Sequence, residues 1–231
     1  MLSEQLGLHK STVSRLLSTL QHEELVEQNP ETGKYRLGLG LVTLAGIVLD
    51  RIDLGEVAYS HLLSLSALTQ ETVNVVVLSG NECMNISGVD SPNPIQYVGR
   101  IGRRTPLHCT SAGKVLLAYL PSELRRRLLP KKLAQFTKKT ITQLSDLEMV
   151  LDRAREQGFA ITHEEHQVGL SALAAPIYDH TAKVMAAVSV SGPTYRLGEM
   201  EIEQFIGVVQ DTAREVSIQL GCVSVEKQPL I

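Results

Sequence analysis

The run Gly7-Leu-His-Lys-Ser-Thr-Val-Ser-Arg-Leu-Leu-Ser-Thr-Leu20 leaves the N-terminal part of this chain few ways to fold. After the glycine, Val13, Leu16, Leu17 and Leu20 recur at the i, i+3, i+4, i+7 spacing of one helical face, which is expected to be buried. Ser11, Thr12, Ser14, Arg15, Ser18 and Thr19 then point elsewhere. Short hydroxyls around an arginine form a surface suited to a DNA groove. Two helical stretches punctuated by Gly7 describe a helix-turn-helix. Leu25–Gln28 and Lys34–Leu37 flank Asn29-Pro-Glu-Thr-Gly33, whose turn residues predict a hairpin. A hairpin directly after a recognition helix is the wing of a winged helix. The expected DNA contacts are Lys10, Ser11, Thr12, Ser14 and Arg15 on the helix and Lys34 and Arg36 on the wing. Arg15 is the one best able to read guanine edges bidentately, and the wing residues should mostly position phosphates.

At 231 residues, 43% of them hydrophobic, the chain has material for one large domain or for a small one and a medium one. A net charge of -3 does not announce a nucleic-acid binder. The charge is segregated, however, with acids at the end of the second helix and Lys10, Arg15, Lys34 and Arg36 on the helix start and the wing. A single copy should hold DNA weakly, so dimerisation is expected. Cys83, Cys109 and Cys222 are an odd set without C-x-x-C spacing, which argues against a disulfide framework and a zinc ribbon and fits a reducing cytoplasm. No stretch approaches a membrane span, and no signal peptide or membrane partner is expected.

Four segments follow from the patterning: 1–38, the winged helix-turn-helix; 39–53, an apolar linker helix that dimerises; 54–222, an α/β alternation; and 223–231, a frayed tail. Within the third, a helix around Gly55–Thr69 precedes two β-branched runs, Glu71–Ser79 and Glu82–Val89, joined by Gly80-Asn81, a hairpin signature. A further strand is expected near Ile95–Val98, ahead of the basic loop Arg100–Arg104. Helices are expected over Ser111–Leu120, Ser122–Leu129 and Ser145–Gln157, the last capped by Ser145 and ended by Gly158. Strands Phe159–His163, Ser171–Tyr178 and Val184–Ser191, the last stopped by Gly192-Pro193, and a long helix Glu199–Leu220 complete an α+β sensor-type domain with a mainly antiparallel sheet.

Five motifs carry a resemblance over nearly the whole length. They are Gly7–Leu20; Lys34-Tyr-Arg-Leu-Gly38; Leu107-His-Cys-Thr-Ser-Ala-Gly-Lys-Val-Leu-Leu-Ala118; Glu164-Glu-His-Gln-Val-Gly-Leu-Ser-Ala-Leu-Ala-Ala-Pro-Ile177; and Val188-Ser-Val-Ser-Gly-Pro193. In this order and spacing the chain resembles the IclR-type bacterial transcription regulators. The resemblance implies an N-terminal winged helix, a linker helix, a GAF-like C-terminal domain that binds a small metabolite, and assembly as dimers or tetramers. It also implies one complete helix and the start of a second ahead of Met1. The first helix of the three-helix core is therefore expected outside this chain, and operator DNA is the expected partner with that segment restored.

The same resemblance implies a ligand pocket built from the turn at Thr110–Gly113, the loop after His163, the strand around Leu170–Ala172 and the strand with Ser189 and Ser191. The residues support this independently. Ser189 and Ser191 are two apart on a strand, so their hydroxyls share a face. Thr110-Ser-Ala-Gly113 precedes a helix whose free N–H groups favour a carboxylate or phosphate. A small organic acid held by hydroxyls and backbone amides follows, with Tyr97 and Leu170 as apolar walls. The candidate ligand residues are Tyr97, Ser111, Ala112, His163, Leu170, Ala172, Ser189 and Ser191. His163-Glu-Glu-His166 lacks the H-E-x-x-H spacing and a helix to carry it, so neither metal nor cofactor is expected. Two other functions compete with an effector-controlled regulator: a metabolite-binding module without DNA activity, and, third, a cysteine hydrolase using Cys109 at a helix start. Adjacent residues in extended chain point oppositely, which places His108 poorly to activate Cys109, and an enzyme is not expected.

Overall fold

Gly7 adopts φ +62°, a left-handed turn that L side chains rarely tolerate, and so separates α1 (Leu2–Leu6) from α2 (Lys10–His22) in three residues. The computed structural model describes residues 2–49 and 53–223 and divides into two units, 1–52 and 53–231. His9 caps α2, its ring accepting from the Ser11 amide. The wing pairs β1 (Val26–Gln28) antiparallel with β2 (Tyr35–Leu37). Its turn is held by Asn29, whose Oδ1 accepts from the amides of Glu31 and Thr32, both at 2.9 Å. Cross-strand partners Glu27 and Arg36 form an ion pair at 2.7 Å. Helix α3 (Gly40–Leu49) follows, within the expected linker, and leaves Val42, Leu44 and Ile47 exposed. One expectation fails here. Val13 is buried and Leu17 half-buried, but Leu16 and Leu20 are 51% and 38% exposed, because among the described residues no element of this unit covers them.

The second unit is a six-stranded, wholly antiparallel sheet in the order β5-β4-β3-β8-β7-β6. Its strands are β3 (Thr72–Ser79), β4 (Glu82–Val89), β5 (Arg104–Pro106), β6 (Ala160–His163), β7 (Leu170–Tyr178) and β8 (Val184–Pro193). Side chains alternate across the pleat. One face offers Val73, Val75, Val188, Val190, Leu173 and Ile177, all fully buried, and α4 (Leu54–Thr69) and α8 (Glu199–Gln219) pack on the sheet with Ala58, Leu62, Val209, Ala213 and Val216 inward. At one end of the opposite face Val76, Cys83, Ala160, Ala174 and Ala187 form a second core with Val115 and Leu117 of α5 (Ser111–Ala118) and Leu147 and Leu151 of α7 (Leu144–Gln157). The short α6 (Ser122–Leu128) connects them. No described helix is long and apolar enough to cross a membrane.

Most element boundaries move by one or two residues, β6 starting at Ala160 and α5 ending at Ala118 among them, and the larger differences have identifiable reasons. Ile95–Val98 is not a strand: its carbonyls are used by side chains, Tyr97 O accepting from Thr72 Oγ1 at 2.6 Å and Ile95 O from Arg196 at 2.8 Å, while the third hairpin strand is Arg104–Pro106. Ser145 does not cap α7, which starts one residue earlier after Gln143 without a side-chain cap, and its hydroxyl donates to Asp146. Gly192-Pro193 does not stop β8, since both still pair with Ser171 and Leu170 after β3 has ended, so the imide lies on the side with no ladder to break. Ser171–Tyr178 likewise begins one residue early, at Leu170. The tail from 224 on lies outside the described residues.

Helix α5 packs through a glycine against the backbone of Leu107, the residue after β5. A Cβ on Gly113 would fall on the Leu107 carbonyl and within 2.6 Å of its Cα, both backbone, whereas one on Gly207 of α8 would meet nothing within 4 Å. The two substitutions should therefore have opposite signs. Gly207→Ala should raise stability by about 0.5–1 kcal/mol through helix propensity. Gly113→Ala should lower it by roughly 1–3 kcal/mol through overpacking. Urea unfolding midpoints at constant m-value measure both.

Candidate functional site

Thr110 caps α5, accepting from the Gly113 amide at 3.3 Å while its hydroxyl donates to Pro106 O at 2.7 Å. This fixes the first turn, with Ser111 and Ala112, against the polar half of the sheet face whose other half is the second core. Between them lies a pocket. Its floor is the strand face: Asn74 and Val76 of β3, Asn85 of β4, Thr105 of β5, Ser189 and Ser191 of β8, Ala172 of β7 and Thr162 of β6. The register places Asn74 beside Ser189, and Ala172 beside Ser191, so pleat and pairing together gather these groups. Asn85 Nδ2 donates to Asn74 Oδ1 at 3.4 Å. The room is small: about 40 Å³ is open to the centre of a water-sized sphere. One water needs roughly 10–15 Å³ by that measure, so the pocket as it stands takes a few heavy atoms.

The rim consists of Tyr97, Cys109, Thr110, His166 and Leu170. Two clamps hold it. Glu71, almost fully buried, takes both forks of the Arg196 guanidinium at 2.6 and 2.9 Å; Arg196 also donates to Ile95 O, so the segment carrying Tyr97 is tied to the sheet. On the other side Lys114 of α5, 1% exposed, is paired with Glu165. Burial pulls the Lys114 pKa down against the opposing pull of Glu165. Thr140 Oγ1 donates to Glu165 O and Thr137 Oγ1 to Glu164 O, each at 2.6 Å. The Glu164 carboxylate accepts from the Gly169 amide and pairs with Lys139, both at 2.7 Å, which holds its pKa below the usual carboxylate range. The loop 164–169 is thereby fixed with His166 on the pocket.

Seven of the eight expected ligand residues meet in this one pocket: Tyr97, Ser111, Ala112, Leu170, Ala172, Ser189 and Ser191. His163 does not. Thr162 faces the pocket, so the pleat turns His163 to the other side, where Nδ1 bonds Ser171 Oγ at 3.3 Å. Asn74, Asn85, Thr105 and Thr162 were not singled out from sequence, and Cys109 and His166 were weighed there only as a nucleophile and as part of a metal-like run. Asn74 inside the valine-rich β3 and Asn85 inside β4 were a usable signal, because a strand asparagine without a turn role needs a partner. His166 lies in the loop after His163 that the resemblance placed at the pocket, but no spacing marks the residue itself. Burial pushes the Cys109 thiol up to about 12, with the Glu165 charge adding to it, and His108 turns away to bond Ala134 O at 2.9 Å. A neutral thiol without an adjacent base is not a nucleophile. Glu164 and Glu165, half of the His-Glu-Glu-His run, are taken up by lysines.

In the first unit Lys10, Ser11, Thr12, Ser14 and Arg15 are all exposed on α2, and Lys34 and Arg36 are exposed on the wing. Ser11 Oγ lies 2.9 Å from the His9 ring and Arg36 is engaged by Glu27, so Lys10, Arg15 and Lys34 are the basic groups here without a partner among the described residues.

Comparison with known proteins agrees with both units. The family profile described as bacterial transcriptional regulator IclR C-terminal matches residues 46–218, and the IclR helix-turn-helix domain matches residues 1–30. The HTH-type transcriptional regulator XynR of Escherichia coli K12 is 37% identical over 221 residues, 95% of this chain and 88% of that protein. The HTH-type transcriptional repressor AllR of the same strain is 38% identical over 221 residues, 95% of this chain and 82% of that protein. The inducer-binding domain of the PobR transcription factor from Acinetobacter, solved as a double mutant in complex with 3-hydroxybenzoic acid, is similar in structure with a TM-score of 0.67 and 30% identity, covering 72% of this chain and 98% of that one. With a helix-turn-helix unit, a polar pocket in an α+β unit, and both profiles matching in order, this chain belongs to the IclR family of ligand-responsive bacterial transcription regulators.

Proposed function

We propose that the effector of this regulator is a small organic acid, that it binds in the pocket between the first turn of α5 and the hydroxyl-bearing face of β3 and β8, and that binding there changes operator affinity in the winged helix of an assembled dimer or tetramer. The observation that carries the acid is the pairing of a capped helix start with Ser189 and Ser191. The free amides at Ser111 and Ala112 and the two hydroxyls all donate toward one small space, and the partial positive charge of a helix N-terminus favours an anion. The 3-hydroxybenzoic acid complex of the related PobR domain supports the same class. The pocket is small as it stands, so a bulky acid requires side chains to move. Leu170 and Tyr97 supply its apolar walls.

For the DNA side, Lys10, Ser11, Thr12, Ser14 and Arg15 are the proposed major-groove set, with Lys34 and Arg36 beside the backbone. Exposure of this whole set on one helix and its wing supports the reading. The exposed apolar residues of α3 support pairing of that helix with a second copy, which also fits the modest basic charge, because two half-sites give affinity that one cannot. Coupling between pocket and operator is then a difference in effector affinity between two arrangements of the assembly.

Two measurements test this. In a thermal-shift screen of small carboxylic acids, a true effector at a hundredfold its Kd should add about 2.7 kcal/mol of stability. The Ser189→Ala/Ser191→Ala variant should fold and lose that shift; a shift that survives in it overturns the pocket assignment. On duplexes selected from a randomised library by the wild-type chain, Arg15→Ala should weaken binding about 10- to 100-fold and relax preference at one base pair. Lys34→Ala should instead weaken all sequences alike and flatten the salt dependence.

A further inference from the structure

We propose that His166 is the residue that meets the effector's negative charge, and that a carboxylate enters the pocket together with a proton taken from solvent onto the His166 ring. The proposal rests on the reading that the effector is an acid and adds which residue selects for it. Among the residues lining the pocket, His166 is the one whose side chain can carry a positive charge; the others are hydroxyls, amides, apolar groups, a thiol and a phenol. Hydroxyls and the partial charge of a helix start favour an anion, and an imidazolium among them would add the full countercharge that they do not supply.

His166 is built for this in two respects. Its orientation is held by ring packing, with Phe136 5.4 Å away and His108 5.9 Å beyond on the same Phe136 ring, so the imidazole stays at the pocket edge. Neither of its ring nitrogens makes a hydrogen bond among the described residues, which leaves both for a ligand. The charged and titratable groups around it are Arg103 and Tyr97 of the segment before β5, His108 and Cys109 before α5, Lys114 of α5, Lys139 of the loop after Phe136, and Glu164 and Glu165 of its own loop. Both carboxylates are already committed, Glu164 to Lys139 and Glu165 to Lys114. Burial first, then Arg103 and His108, push the His166 pKa down, so in the empty pocket near neutral pH the ring is uncharged. An arriving carboxylate reverses that balance by favouring the imidazolium. The sign follows: the bound-state pKa lies above the free-state pKa, so binding is tightest at low pH and weakens as pH rises through the bound-state value.

The test is isothermal titration calorimetry on the full chain with acetate, pyruvate and succinate, each against its neutral amide, at pH 6, 7 and 8, in two buffers of different ionisation enthalpy. The expected result is that at least one acid binds, its amide does not, Kd rises by up to about tenfold per pH unit, and the buffer pair reports uptake of up to one proton. In His166→Gln the pH slope and the preference for acid over amide should both disappear, while the variant's own melting curve shows it folded. If that variant does not fold, proton uptake by the wild-type chain decides alone. Acid binding with no proton uptake, or with the same slope in His166→Gln, overturns the role of His166 and leaves the acid effector standing. An amide that binds as well as its acid overturns the charge argument. No binding by any of the acids to folded protein overturns the small-acid reading and this inference with it.

Discussion

A sheet with helices on both faces has no solvent side, and every polar residue on it must find a partner inside the protein. That constraint organises the effector unit. One face satisfies it by being largely apolar, with valines of β3 and β8 and Leu173 and Ile177 of β7 under α4 and α8, and by pairing its buried serines, Ser87 with Gly55 O and Ser171 with His163 and Thr194. The other face divides. Where α5 and α7 cover it, Val76, Ala160, Ala174 and Ala187 are the inward residues. One or two pleats along, the same strands present Thr162, Ala172, Ser189, Ser191 and Asn74, and there the covering helix begins, so that its unpaired amides and the strand hydroxyls share a small space. A pocket at that junction is the consequence of changing polarity along a buried face.

The loops that close the pocket are held by charge. Glu71 and Arg196 fasten the segment before β5, and Lys114 and Glu165 fasten the loop before β7. Neither pair is a strong source of net stability, because desolvation cancels much of the attraction, but breaking either leaves a buried charge alone. Their effect is positional. They fix where Tyr97 and His166 stand, and by pairing with each other they take the strongest charges near the pocket out of play. The groups that line the pocket itself are thus soft, hydroxyls, amides, a helix end and one imidazole, with the Arg103 guanidinium behind them on the Tyr97 ring. Soft electrostatics suit a sensor, which must release its ligand when the concentration falls.

Local patterns in the chain already implied most of this architecture. Gly7 between two helical stretches, Asn29-Pro-Glu-Thr-Gly33 between short strands, Gly80-Asn81 between β-branched runs and Gly158 after an amphipathic helix each marked a boundary by a backbone requirement that few residues meet. Three of the errors share one cause. Ile95–Val98 has strand composition, yet its carbonyls are claimed by Thr72 and Arg196 from distant positions. Gly192-Pro193 has the composition of a strand end, yet pairing with β7 alone tolerates a proline. Leu16 and Leu20 have the periodicity of a buried face, and periodicity states which residues lie together without stating what lies over them.

The sequence by itself determined the helix-turn-helix and its wing, the class of the second unit, and the residues whose chemistry is local, such as Ser189 with Ser191 and Thr110 with the α5 amides. These depend on spacing within one element. Tertiary structure alone decided which side of β6 faces the pocket, and so replaced His163 with Thr162 and His166. It also brought Asn74, Asn85 and Thr105 to the floor, and set Lys114 of α5 against Glu165 across 51 residues. The physical reason is that strand order and register, like the burial that lowers the His166 pKa, are properties of contacts between elements. No periodicity along the chain encodes which neighbours those contacts will be.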